Sequence, residues 1–408
     1  MSKKMWTAIM IDRDLLPILR QMEEVGVALD VSYLENLALD FRDQLADLAS
    51  QIFDAVGHQF QISSPKQLGQ VLFEELGLGE KNGVRLKKKT TGFSTAAAEL
   101  QKLRDAHPVI SFVLQYREVA KLLSTYVEPL PSLLGPDRRL HTHYAPDAAS
   151  GRLSSRQPNL QNIPVRTDLG KKIRRAFVAT PGSMFLAADY SQIELRVIAH
   201  LSQDAAMMKV FREGGDIHTA TSTALTIDRR TAKAVNFGIF YGLTAYGLAE
   251  SLGIDRQEAQ GFIDGYLATY PQAAAYIEQL ITTARERGYA ETLFGRRREL
   301  PELTSGNDFL RRAAERVAVN HPIQGTAAEL MKIAMIAVDQ ALSGQAACRM
   351  ILQVHDELIF EVHEDRIDEF AGRLQLIMEG AYPLQVPLVV DAKVGQNWTE
   401  MEPIRDDN

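Results

Sequence analysis

The chain has a single cysteine, Cys348, in 408 residues. That excludes an intramolecular disulfide and any cysteine-built zinc site, and it fits a reducing, cytoplasmic setting. No run approaches the roughly 18 apolar residues of a membrane helix, so no membrane partner is expected. Near the N-terminus Lys3 and Lys4 precede a short apolar run that Asp12 and Asp14 interrupt, which argues against a secretory signal. A Gly-x4-Gly-Lys-Ser/Thr loop is missing, so phosphates are not expected on a P-loop. Excess positive charge is missing too, since 45 Lys and Arg against 52 Asp and Glu leave a net charge of -7. Taken alone, that argues weakly against nucleic acid, whose phosphates need clustered cations.

The cations that are present come in bunches. They gather at Lys87–Lys89, Arg152 and Arg156, Lys171–Arg175, Arg229–Arg230, Arg296–Arg298 and Arg311–Arg312. Basic faces on an acidic protein are compatible with nucleic-acid binding. Each cluster by itself reads equally well as a solvated surface. A hydrophobic fraction of 46% and a charged fraction of 24% are those of a globular protein, and 408 residues predict two or three packed subdomains.

Leu37, Phe41, Leu45, Leu48 and Ile52 recur at helical spacing. Ser64-Pro65 reads as a helix cap followed by proline in the first turn. A further helix is predicted from about Pro108 to Leu123, and Lys81 to Phe93 reads as a mobile basic loop. The pattern loosens from Gly135 to Pro164. Met184–Ala188 then reads as a buried strand ending at Asp189, with Ile193, Val197 and Leu201 at helical spacing behind it. Helices are expected from there to about Leu342. Met350–Val354 and Leu358–Val362 are β-prone and flank His355-Asp356-Glu357. That order predicts an α+β protein whose sheet carries helical insertions.

Adjacent carboxylates at a strand junction repel unless a cation or solvent compensates. Asp356-Glu357 alone reads as a polar turn, and Asp189 alone as a helix cap. Together, two strand-end acids in one sheet fit hard cations such as Mg²⁺, which binds through one or two carboxylates plus substrate phosphates. Arg229, Lys233, Phe237 and Tyr241 are spaced by four. Each such step turns about 40° around a helix, so all four share a stripe. The cations could hold a triphosphate and the rings could pack on a base or sugar. The plain alternative is a solvated basic end running into a buried aromatic end.

These residues resemble family A DNA polymerases of the bacterial DNA polymerase I type, polymerase module only. Asp189-Tyr190-Ser191-Gln192-Ile193-Glu194-Leu195-Arg196 looks like motif A, Arg229 to Gly242 like motif B, and Val354-His355-Asp356-Glu357 like motif C. Gly151–Ser155, Pro158–Pro164, Asp216–Thr219 and Gln324–Ala328 match further family blocks in family order. The resemblance covers nearly the whole chain.

It implies a right-hand polymerase fold with an antiparallel-sheet palm. Residues 1-31, 128-194 and 324-408 would form the palm, 32-127 a helical thumb with Lys87–Lys89 at its tip, and 195-323 helical fingers. It implies a DNA-directed DNA polymerase working on primed DNA and deoxynucleoside triphosphates by a two-metal mechanism. Asp189, Asp356 and the Tyr190 carbonyl would hold two Mg²⁺ ions, with Mn²⁺ as a substitute and Glu357 in support. Arg229, Lys233, His218 and Gln192 would serve nucleotide binding, with Lys233 also a proton donor to pyrophosphate. Phe237 would lie against sugar and base, Tyr241 near the templating position, and Glu194 against an incoming 2′-hydroxyl. Arg152, Asn159, Gln161, Arg316, Gln324 and His355 would contact DNA. A monomer is expected. No exonuclease motifs precede the polymerase blocks, so neither 3′→5′ proofreading nor 5′-nuclease activity is expected.

The chain departs from the family pattern in three places. The stretch from Thr219 to Arg229 is several residues shorter, Tyr144–Ser150 replaces a Gln/Thr-rich approach to Gly151, and Leu123 stands where Lys is common. Alternatives on the same scaffold are a single-subunit RNA polymerase or reverse transcriptase, against whose RNA-polymerase form Glu194 and Glu357 speak. Others are an inactive DNA-binding module, and a metal nuclease that leaves the Arg229-to-Tyr241 stripe unexplained.

Overall fold

The computed structural model describes residues 6–81, 86, 88–89, 92–146, 150–165 and 167–404. The first helix, Ala8–Val25, is capped by Thr7 and buries Ile11, Leu15, Ile18, Leu19 and Met22 on one side. Val31–Val56 follows. Asp30 caps it by accepting from the Tyr33 amide at 2.9 Å, and Gly57 ends it at φ 89. Leu37, Phe41, Leu48 and Ile52 form the buried stripe that their spacing predicts, while Leu45 is half-buried. Ser64 caps Pro65–Gly69 as expected. Pro108–Leu122 packs on Val31–Val56 and runs into a π-helical turn, Leu123–Val127. Leu123 is buried there, so apolar packing occupies the place where the family commonly carries a lysine.

Within the basic stretch, Lys88–Lys89 pairs with Gly92–Phe93 in a short antiparallel ladder. Lys87 and the acidic residues Asp406 and Asp407 lie outside the described residues. The loosened stretch from Gly135 to Pro164 contains a real hairpin, His143–Pro146 against Leu153–Arg156. Tyr144 is buried in it, and its hydroxyl accepts from the Gln353 amide at 3.0 Å.

The central sheet has five antiparallel strands in the order Cys348–Val354, Glu357–His363, Ser183–Tyr190, Val390–Gly395, Glu402–Pro403. Both faces are covered. Leu186, Ala188, Tyr190, Leu358 and Phe360 bury against the long helix Asp308–Leu342, the first helix and Ile367–Glu379. Phe185, Ala187 and Ile359 bury on the other side with residues of the first third, including Phe41. Strand alternation explains the split and puts Asp189 on the Phe185–Ala187 face, at its open end.

From Ile193 to Arg287 the chain is helical, as its periodicity predicts. A hairpin, Tyr289–Glu291 with Arg297–Glu299, then interrupts the helices. The sequence does not announce it, because its strands are short and charged. Arg296, at its turn, is half-buried and pairs with Asp12 at 2.9 Å and Glu329 at 2.9 Å, and Lys332 joins Asp12 at 2.8 Å. That cluster ties the first helix to the long helix. It corrects the reading of Arg296–Arg298 as one solvated or DNA-facing patch.

Candidate active site

Two backbone features bring Asp189 and Asp356 together. The hairpin turn is His355-Asp356, with His355 at φ 55, and Glu357 already begins the next strand. The Tyr190 amide then donates to the Asp356 carbonyl at 3.0 Å, docking the hairpin tip onto the end of the Asp189 strand. Glu357 and Asp391 both stand directly opposite Asp189 in register. Facing Cβ atoms in such pairs are about 5 Å apart, so three acids share one row.

Crowding acids under partial burial perturbs them. Burial pushes the Asp189 carboxyl up to about 7, Glu357 and Asp356 add repulsion, and Lys393 opposes. Burial likewise raises Asp356 to about 6, with Glu194 adding and Arg152 opposing. Glu357 is raised by burial, against which Arg174 and Lys393 pull. Asp189 keeps one side open to solvent. A cation reaching that side relieves the repulsion and restores the ionised forms.

Among the described residues no three His, Cys, Asp or Glu side chains form a ready-made metal cage. Mg²⁺ needs no such cage, because it binds through one or two carboxylates and completes its shell with water and substrate phosphates. The oxygen-only donor set excludes neither Mg²⁺ nor Mn²⁺. The Tyr190 side chain points away, buried and donating to the Met378 carbonyl at 2.6 Å, so only its main chain is available to the site.

A cleft of about 390 Å³ opens over the carboxylates, with Lys171, Arg174, Lys393 and Trp398 on its other walls. Another, of about 160 Å³, runs from Asp356 and His355 past Arg152, Gln161 and Gln324. A larger cleft of about 540 Å³, beside Met22 and Cys348, holds none of the candidate residues.

The helix Arg229–Phe240 carries the second set. Asp228 caps it by accepting from the Arg230 and Thr231 amides at 2.8 and 3.0 Å. Ala232, Val235, Asn236 and Phe240 bury its inner face. Arg229 and Lys233 face solvent and Phe237 is half-buried on the same stripe. Tyr241 lies one residue beyond the helix and is 37% exposed, so the stripe does not run into a buried aromatic end. The shortening between Thr219 and Arg229 leaves this helix intact.

Around it, Asp216 accepts from Gln192 at 3.0 Å and from Arg229 at 2.9 Å. Glu194 is buried, bonded to Arg152 at 2.7 Å and to the Tyr241 hydroxyl. His218 is buried with its ring 5.5 Å from that of Phe237. Burial holds its imidazole below the usual range, Lys233 and Arg229 add to this, and Asp216 opposes. His218 therefore lies buried beside Phe237, near the charges of Asp216, Lys233 and Arg229.

Of the expected DNA contacts, Arg152 and His355 are exposed and Gln324 lines the smaller cleft. Arg316 packs against Gly242, whose φ of 69 and missing side chain leave it room. Gln161 is engaged internally, donating to Gln353 Oε1 at 3.0 Å and accepting from the Ser155 amide at 3.2 Å. Its amide braces the hairpin that bears Asp356. Asn159 is half-buried, and its Oδ1 is buried without a partner among the described residues. Arg174 stood out only as part of a basic run. It is buried with its guanidinium 3.9 Å over Trp398, and it donates to the Ile163 carbonyl at 3.0 Å. Ile173 beside it is also buried, and no spacing signal separates Arg174 from its exposed neighbours Lys172 and Arg175.

The family model "DNA polymerase family A" matches residues 31–400. The thermostable DNA polymerase I of Thermus filiformis is 50% identical over 410 residues, covering 98% of this chain and 49% of the relative. DNA polymerase I of Pseudomonas aeruginosa is 46% identical over 405 residues, covering 96% and 44%. The chain thus spans about half the length of the curated relatives it matches. The solved POL domain of Pol1 from M. smegmatis, in complex with DNA primer-template and dNTP, superposes with a TM-score of 0.89 at 41% identity, covering 95% of this chain and 70% of that one. The chain belongs to family A of the DNA polymerases.

Proposed function

We propose that this chain is a template- and primer-dependent DNA polymerase, which adds deoxynucleotides to a primer 3′-hydroxyl and releases pyrophosphate. The observation that carries this reading is the meeting of Asp189 and Asp356 at one sheet end, beside a solvent-facing stripe offering Arg229, Lys233 and Phe237. A relative described in complex with DNA primer-template and dNTP supports the same partners.

Asp189, Asp356 and the Tyr190 carbonyl would hold two Mg²⁺ ions, which when bound activate the primer hydroxyl and neutralise the phosphates. Arg229 and Lys233 bind the triphosphate, and Lys233 gives a proton to the departing pyrophosphate. Phe237 packs on the sugar and base. Glu194, fixed by Arg152 and Tyr241, crowds the 2′ position. Arg152, Arg316, Gln324 and His355 line the path of template and primer, while Gln161 and Asn159 support it from within. In this reading the sheet is the palm, the helices of residues 32-127 are the thumb and those of 195-323 are the fingers. The protein acts as a cytoplasmic monomer.

The test is extension of a labelled primer on a template, with deoxy- or ribonucleotides. Deoxynucleotide addition that needs both primer and template is expected. Ribonucleotide polymerisation without a primer would refute the proposal. A 3′-mismatched primer incubated without nucleotides tests the expectation of no 3′→5′ proofreading, and its degradation would contradict that expectation.

A further inference from the structure

The candidate triphosphate cations are not equally free. Lys233 makes no ion pair among the described residues, whereas Arg229 is held by Asp216 at 2.9 Å. The same carboxylate oxygen, Oδ2, accepts from Gln192 at 3.0 Å, and Oδ1 accepts from the Thr219 amide at 2.6 Å. One side chain therefore joins the turn behind Asp189, the helix bearing His218 and the helix bearing Lys233. We infer that Asp216 is a positioning residue that sets nucleotide affinity, holding Arg229 at rest until an incoming triphosphate takes it over. This rests on the polymerase reading above.

The partners differ in mobility. Asp216 is the cap of Ile217–Leu225 and is fixed through Thr219 as well as Gln192. Burial alone would raise its carboxyl, but the bonds from Arg229, Thr219 and Gln192 outweigh that and hold it well below the usual range. Arg229 sits at the first helical position with its side chain 58% exposed. It is the partner that can swing. Its start point is tethered, because only Thr226, Ile227 and Asp228 separate the two helices. Thr226 reverses the chain at φ 53, and Ser222 donates to the Ile227 carbonyl at 2.5 Å. The shortened connection thus keeps Arg229 beside Asp216. An ion pair this exposed is weak enough to be exchanged for a polyphosphate, which offers the guanidinium more oxygens and more charge.

The same contact reaches the metal side. Gln192 follows Tyr190 by two residues, stands at φ 55, and has its Oε1 buried without a partner among the described residues. Its only described side-chain bond is to Asp216. Removing the Asp216 charge frees Arg229; asparagine there keeps Oδ1 for the Thr219 amide and is itself a good helix cap, while the amide nitrogen that takes the place of Oδ2 no longer accepts from Gln192.

The experiment measures dNTP binding by the full chain on a dideoxy-terminated primer-template, so that no chemistry intervenes. Four proteins are compared: the parent, Asp216→Asn, Arg229→Ala and the double variant. Asp216→Asn is expected to bind about two- to five-fold more tightly than the parent, the range that an exposed ion pair commands. The gain should vanish in the Arg229→Ala background. Weaker or unchanged binding by Asp216→Asn at the parental melting temperature overturns the inference. An equal gain in the Arg229→Ala background also overturns it, because Asp216 would then act by general repulsion. No dNTP binding by the parent overturns the polymerase reading, and this inference with it.

Discussion

Asp189 and Asp356 are held by main chain: a register, a two-residue turn and the Tyr190–Asp356 bond fix them before any ligand arrives. Arg229 and Lys233, by contrast, project from a helix face into solvent, and among the described residues the Arg229 side chain is retained by one exposed ion pair. One half of the site is thus rigid and electrostatically strained, and the other is adjustable and relaxed. A metal pair needs closely placed oxygens, whereas a triphosphate must be admitted and its product released. Strain is tolerable in the acid row because the sheet beneath it is buried on both faces.

The comparison breaks most sharply at the acids. Asp189→Ala should lower the rate of primer extension by about 10³-fold or more, since metal-borne charge stabilisation is worth several kcal/mol. Single-turnover kinetics check this, and a loss below tenfold would remove Asp189 from the site. On the adjustable side Lys233→Ala should cost about 10²-fold in the same assay, the lower range for a lost proton donor. That loss should fall on the chemical step more than on dNTP binding. A change confined to KM would make Lys233 a binding group only.

Glu194→Ala should raise ribonucleotide use relative to deoxynucleotide by roughly tenfold, the scale of a pocket gaining a small group's volume. Competition between the two nucleotides on one template measures it. Unchanged discrimination would move the 2′ contact elsewhere. The smallest effect concerns stability. The Asp189 carboxyl is raised from 3.8 to about 7 in the fold, so the folded protein binds more protons than the unfolded chain in that window. Its contribution to stability is therefore lost as pH rises through the window. Metal-free Asp189→Asn should melt higher than the parent at pH 8, by about a degree because solvent screens the group, and the gap should close near pH 4. A calorimetric series with chelator present decides it, and a variant that melts lower at pH 8 would show that the row is not strained.

The acid row and the helix stripe were legible because each is written in a short stretch of sequence. Asp189 ends an apolar run, Asp356 interrupts two others, and Arg229 to Tyr241 repeat every four residues. What the stripe could not show is where its neighbours stand. His218 was expected at the phosphates by resemblance, but its burial beside Phe237 was not legible, because long-range packing decides which side of Ile217–Leu225 faces out. Arg296, Arg297 and Arg298 look alike in sequence, but only Arg296 meets Asp12, 284 residues away. Gly151 at φ 77 leaves space for that arginine, an arrangement only the folded chain reveals. Asp216 likewise read as part of a family block, and its grip on both Gln192 and Arg229 depends on three elements converging.

The proposed polymerase reaction is cation-dependent and runs on the paired acids at the sheet end. Primer extension with Mg²⁺ and deoxynucleotides by the parent and by Asp356→Ala, with primed-DNA binding measured on both, tests it most directly. The expected result is extension by the parent alone, with both proteins binding DNA about equally. A folded Asp356→Ala protein that extends the primer at the parental rate would contradict it.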